Sequence, residues 1–172
     1  EILHINDTLV LSVLVGDGVK LMAADAASGQ VRWRTETTYR GSTVDYVKMT
    51  SRYAKLPPTK LDPSLNTATD GSAIAFIDGP NVVCLEMAGG TQAWRIPFPS
   101  DPADDGAGGQ KTNGTLWIGT MIVIDGVVVH AGPNSLAAMS VATGEVLWTQ
   151  PKKYIGHLWY EWKDVFVIDG LV

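Results

Sequence analysis

Short runs of alternating or continuous apolar residues make up most of this chain. An Asn or Asp and its neighbour interrupt them at Asn6-Asp7, Asp70-Gly71, Asp125-Gly126 and Asp169-Gly170. Runs of this length predict strands, and dipeptides of this kind predict tight hairpin turns. A second pattern lies between these marks. The stretch SLAAMSVATGEVLW, Ser135 to Trp148, has two earlier counterparts. Aligned on their tryptophans, AADAASGQVRW ends at Trp33, CLEMAGGTQAW at Trp94 and AMSVATGEVLW at Trp148.

Each copy has a Gly four residues before the Trp (Gly29, Gly90, Gly144) and a short or polar residue four further back (Asp25, Glu86, Ser140), after an apolar run. The expected structure is strand, tight turn, strand. Gly supplies the positive φ, and the polar side chain bonds the turn's own backbone. In the third copy the pattern reads as four antiparallel strands: Met121 to Ile124, Val127 to Ala131, Leu136 to Met139 and Val146 to Thr149. The tryptophans are 61 and 54 residues apart, somewhat more than the roughly 40 to 50 of common propeller repeats. The surplus falls between repeats. Tandem four-stranded units with periodic Gly and aromatic positions predict an all-β fold, a β-propeller of four-stranded antiparallel blades.

The three copies resemble the PQQ-type (quinoprotein alcohol dehydrogenase-like) propeller repeat, whose pattern is roughly A-x-D-x-x-T-G-x-x-x-W. Asp25, Gly29 and Trp33 match it in the first copy, and Thr143, Gly144 and Trp148 in the third. The second keeps Gly90 and Trp94 but has Glu86 for the Asp and Gly89 for the Thr. The resemblance implies a structural motif, in which each Trp, Trp148 included, is wedged between adjacent blades. It also implies a bacterial protein acting outside the cytoplasm, in the periplasm or at the cell surface.

The expected organisation is a blade at 1–37, an inter-blade insert at 38–71, a blade at 72–96, an acidic Gly-rich insert at 97–117, a blade at 118–150, an aromatic connection at 151–163 and the start of another blade at 164–172. Glu1 falls inside an apparent strand and Leu171-Val172 follows a fresh turn mark. Three blades would leave exposed strand edges. The expectation is therefore a piece of a larger ring, of up to eight blades.

Composition adds limits. With 45% hydrophobic and 18% charged residues the chain has an ordinary globular balance, and no apolar run approaches the roughly 18 residues of a membrane span. A net charge of −5 argues against general nucleic-acid binding. Between residues 38 and 60, Arg40, Lys48, Arg52, Lys55 and Lys60 stand against Asp45 alone, which makes a solvated loop or a patch for an anionic partner. The second insert carries Asp101, Asp104 and Asp105 before Gly106, but Ala103 and Thr112 stand where a calcium loop needs ligands. These carboxylates are weak metal candidates in a flexible acidic loop. The third connection holds His157, Trp159, Tyr160 and Trp162, which read as interblade packing or as a ligand surface. Cys84 is a lone thiol in a predicted strand, and His4 and His130 sit in apolar strands.

No nucleophile–base arrangement is legible. The reading therefore leans away from an enzyme, with catalytic and cofactor-binding residues unassigned. It favours a non-catalytic platform that binds other proteins or the rest of its own propeller. By resemblance, the alternative is a PQQ- and calcium-dependent alcohol dehydrogenase; the Cys pair and the C-x-x-C-H haem motif carried by such enzymes are absent from this sequence. A structural part of a larger assembly is the remaining alternative.

Overall fold

A computed structural model describes residues 1–41, 65–79, 81–99, 120–131 and 135–151. Three four-stranded antiparallel sheets follow one another along the chain, each a meander in sequence order. The first comprises β1 (Ile2–Ile5), β2 (Thr8–Val15), β3 (Gly18–Asp25) and β4 (Val31–Arg34). The second comprises β5 (Ala68–Thr69), β6 (Ala73–Asp78), β7 (Asn81–Glu86) and β8 (Gln92–Pro97). The third comprises β9 (Thr120–Ile124), β10 (Val127–Ala131), β11 (Ser135–Ser140) and β12 (Val146–Pro151).

Three of the four predicted Asn/Asp turns form for the predicted reason; the fourth, Asp169-Gly170, lies outside the described residues. Asn6 (φ 53°), Gly71 (φ 94°) and Asp125 with Gly126 (φ 48° and 76°) occupy the left-handed region that tight β-turns require. Register then sorts the side chains. Strand β6, AIAFID, is buried along its whole length because both of its faces are covered. Ile74 and Phe76, with Val83 and Leu85, pack against Val10, Val19 and Leu21 of the first sheet. Ala75 and Ile77, with Val82 and Cys84, pack against Val123, Val128 and Met139 of the third. The core is thus two apolar layers between three stacked sheets.

The stretch 38–71 is built into this stack at both of its described ends. Tyr39 forms a bridge with Val19 and stands edge-on to Phe76 at 4.7 Å between centroids. Leu65 is fully buried in the first layer, and β5 opens the second sheet ahead of the Asp70-Gly71 turn.

Candidate functional site

The repeated motif builds the same backbone three times. The Gly29, Gly90 and Gly144 N–H groups donate to the carbonyls of Asp25, Glu86 and Ser140 at 2.9, 2.9 and 2.8 Å. The N–H groups of Asp25, Glu86 and Ser140 donate in turn to the carbonyls of Gln30, Thr91 and Glu145. A β-bulge follows Ala23, Cys84 and Ala138 at the matching place in each sheet. The motif hydroxyls assist, since Ser28 Oγ accepts from Gln30 N–H and Thr143 Oγ1 from Glu145 N–H. Each turn presents a bare Gly and, three residues earlier, a carbonyl.

These two features receive the Trp of the preceding sheet. Trp33 Nε1 donates to the Met87 carbonyl at 2.8 Å, and Trp94 Nε1 donates to the Val141 carbonyl at 2.7 Å. The indoles lie on the glycines: a Cβ at Gly90 would stand 2.5 Å from Trp33 Cε3, and one at Gly144 would stand 2.9 Å from Trp94 Cδ2. Gly is needed there both for its φ and for its missing side chain.

Above the first joint, on the face that carries these turns, lies a cavity of about 340 Å³ lined by Ile5, Asp7, Arg32, Trp33, Ser72 and Met87 among others. Arg32 Nη2 pairs with Asp7 Oδ2 at 2.8 Å and with Asp25 Oδ2 at 2.7 Å, while its Nη1 donates to Thr8 Oγ1 at 2.7 Å. Asp25 Oδ1 also accepts from Ser28 N–H and Oγ at 2.8 Å each. Hydrogen bonds from Ser28 and Arg32 hold the Asp25 carboxyl far below the usual range, and those from Arg32 and Thr8 lower Asp7 as well. Both carboxylates are ionised at neutral pH. The cluster thus presents two ionised carboxylates bridged by one guanidinium.

A family model described as the outer membrane protein assembly factor BamB, PQQ_2, matches residues 23–155. The chain belongs to this family. Among solved structures, BamB from Moraxella catarrhalis is similar at 18% identity, over 84% of this chain and 34% of that one, with a TM-score of 0.50. A europium-containing methanol dehydrogenase matches at 12% identity, over 87% and 24% of the two chains, with a TM-score of 0.51. The quinohemoprotein alcohol dehydrogenase ADHIIG from Pseudomonas putida HK5 matches at 15%, over 87% and 20%, with a TM-score of 0.49. No curated protein sequence matches. The chain spans about a third or less of the length of these solved proteins. At these identities the BamB and methanol dehydrogenase likenesses show the fold, a β-propeller in which the three sheets are successive blades.

At the opposite end of the second BamB-family blade, Asp78 closes β6 with its side chain 7% exposed. It pairs with Arg95 Nη1 at 2.6 Å and accepts from the N–H groups of Arg40 and Gly41 at 2.6 and 3.2 Å. Burial and the Asp78 charge push the nearby Tyr39 hydroxyl pKa up. Asp78→Ala removes the ion pair and strands two backbone donors. Its expected cost is about 2 to 4 kcal/mol by urea denaturation, with Asp78→Asn milder because it keeps an acceptor.

His130 on β10 is 6% exposed, its Nε2 has no hydrogen-bond partner, and its ring lies 4.8 Å from that of Phe98 between centroids. Burial lowers its pKa to about 4. The unfolded chain, with an ordinary His near 6.5, therefore takes up the proton first as pH falls. The stabilising effect of a neutral buried His130 is complete above pH 6.5 and is lost progressively between about 6.5 and 4, a swing of roughly 3 kcal/mol. Unfolding free energies measured across that window should show the slope, and His130→Phe should flatten it. Cys84 is buried, with its thiol pushed up to about 11 first by burial and then by the Asp70 charge. It stays protonated and packs as a small apolar side chain.

Of the residues singled out from sequence, Asp25, Gly29, Trp33, Gly90, Trp94, Thr143 and Gly144 take the turn and joint positions just described. Trp94 is 8% exposed and Trp33 half-buried. Trp148 is 38% exposed, and no described turn lies against it as Gly90 and Gly144 lie against the other two; the expected start of the next blade, 164–172, lies outside the described residues. Arg40 is exposed and touches the site through its backbone alone. Lys48, Arg52, Lys55, Asp101, Asp104, Asp105, His157, Trp159, Tyr160 and Trp162 lie outside the described residues. Sequence reasoning passed over Arg32 and the Asp78–Arg95 pair. The signal for Arg32 was present, since it stands one residue before the motif Trp on the strand beside Asp25.

Proposed function

We propose that this chain is part of an extracytoplasmic propeller acting as a non-catalytic platform for protein partners, within the outer-membrane protein assembly role that its family's description names. One observation carries the reading. On the turn face the motif side chains serve the joints, and what remains open to solvent is a cleft with a charged Asp7–Arg32–Asp25 wall beside apolar Trp33 and Met87. Charged and apolar surface side by side in a shallow interblade groove suits an extended peptide or a partner's loop better than a small reactant.

The likeness to methanol dehydrogenase raises a second reading, a quinone enzyme with PQQ and calcium. Among the described residues no group of three His, Cys, Asp or Glu side chains could hold a metal ion. Asp7 and Asp25, which do come together, share the Arg32 guanidinium, which stands where a cation would need to sit. The described residues do not fit that site. Nor is any described helix long and apolar enough to cross a membrane.

A photo-reactive cross-linker placed at Ser72, on the cleft rim, tests the platform. The expected adduct, identified by mass spectrometry after export to the periplasm, is a component of the outer-membrane assembly machinery, and Arg32→Glu should abolish it. Tight calorimetric binding of PQQ with calcium, together with alcohol-dependent dye reduction, would replace the platform with the dehydrogenase.

A further inference from the structure

The three blades serve as controls for one another, because the bonds that close their turns fix which positions correspond. The Ala26, Met87 and Val141 N–H groups donate to the carbonyls of Asp7, Ser72 and Gly126. Asp7 of the first blade therefore stands where the others have Ser72 and Gly126. Arg32, one residue before the motif Trp, stands where the others have Ala93 and Leu147. The second joint seats Trp94 on Gly144 and bonds its indole to the Val141 carbonyl with Ser72 and Ala93 in those two places. A joint thus needs neither Asp7 nor Arg32, and the charged wall of the first cleft is an addition to the repeat.

Ile5, Asp7, Arg32 and Trp33 line this cleft from the first blade, and Ser72 and Met87 from the second. Both walls are described blades packed on one another, and the cleft opens along their turn ends rather than across an outer sheet face. Its volume of about 340 Å³ is at the small end of ligand clefts. The Asp7 side chain is 74% exposed, and Arg32, the one cation lining the cleft, offsets only one of the two carboxylates it holds. Asp70 adds a further negative charge in the facing turn, where Gly71 lies against Ile5. Beside this negative wall the half-buried Trp33 and Met87 present apolar surface. A long basic side chain satisfies both parts: its methylene stem covers apolar surface while its cation meets a carboxylate, and an indole ring adds to the attraction.

Resting on the platform reading, we propose that the cleft between the first and second blades receives a Lys or Arg side chain from an exposed segment of a partner protein. The cation meets Asp7, and the stem crosses Trp33 and Met87. Arg32 is a positioning residue: its guanidinium grips Asp7 and Asp25 together and fixes where the Asp7 carboxylate stands. Without that grip the two like charges repel and the wall loses its shape.

Nuclear magnetic resonance titration of the nitrogen-15-labelled chain tests this with two short blocked peptides of Ser and Leu that differ only in a central Lys or Glu. The Lys peptide is expected to shift the Trp33 indole N–H and the Asp7 amide, with a Kd lower than that of the Glu peptide by about ten-fold or more. Asp7→Ser combined with Arg32→Ala gives the first joint the residues that the second already carries, so it should stay folded by circular dichroism and lose the preference. Arg32→Lys, which keeps a cation between the carboxylates, should recover most of the preference that Arg32→Ala alone removes. Equal shifts from the two peptides, stronger shifts from the Glu peptide, or none from either at millimolar concentration overturns the proposal. So does a preference for Lys that survives in the folded double variant. The Ser72 cross-link keeps the two readings apart: an adduct that forms while the peptides show no preference leaves the platform standing and removes its basic ligand.

Discussion

Trp94→Ala is expected to destabilise the chain by roughly 3 to 5 kcal/mol, the range for removing a large buried aromatic side chain. The indole is 8% exposed, packs in the layer between the second and third blades, and satisfies the Val141 carbonyl. The substitution leaves a cavity against Gly144 and an unpaired acceptor in one step. Trp148→Ala is the comparison, and it should cost less than Trp94→Ala because that indole is 38% exposed against 8% and no described turn lies against it. Urea denaturation of both variants gives the two values. Equal losses would show that the two tryptophans are not distinguished by docking.

Gly90→Val is the second large effect, expected at about 3 kcal/mol or more. Two causes combine. Gly90 has φ 68°, a conformation that costs an L-residue roughly 1 to 2 kcal/mol and a β-branched one more. A Cβ there would also stand 2.5 to 2.9 Å from three atoms of the Trp33 ring, so the indole must leave its place on the turn, an overpacking cost of about 1 to 3 kcal/mol. Gly29→Val separates the causes, because Gly29 has φ 72° but open space around its Cα. It should cost the dihedral share alone. Matching denaturation midpoints for the two variants would mean that the Trp33 joint contributes little.

The difference between these glycines separates what neighbours in sequence specify from what packing adds. All three motif copies have Gly, an apolar run and Trp at the same spacing, because each turn solves the same local problem of reversing a strand through a left-handed residue. Local chemistry is carried by neighbours in sequence, so the strands, their turns and the four-strand repeat were legible. The capping role of Asp25 was legible for the same reason: its carboxylate reaches N–H groups only two and three residues away.

Apart from the Arg32–Asp25 pair, seven residues apart, the contacts of Arg32 and Asp78 were not legible, because their partners are distant in sequence. Arg32 meets Asp7 from 25 residues away, and Asp78 receives the Arg40 N–H from 38 residues away. His130 looked like any polar residue in an apolar strand until β10 was packed against the second blade. Its missing partner and lowered pKa follow from that burial.

The repeat, its turn chemistry and the residues able to make a joint can be read from the amino acids alone, since strand period and positive φ depend on a few adjacent residues. Which joints are made depends on how the sheets stack. A Trp is a wedge where the next sheet brings a bare Gly and a free carbonyl beneath it, and this happens for Trp33 and Trp94 but not, within the described residues, for Trp148. Three motifs with the same Gly–Trp spacing thus differ in burial, because burial is a property of the neighbouring blade.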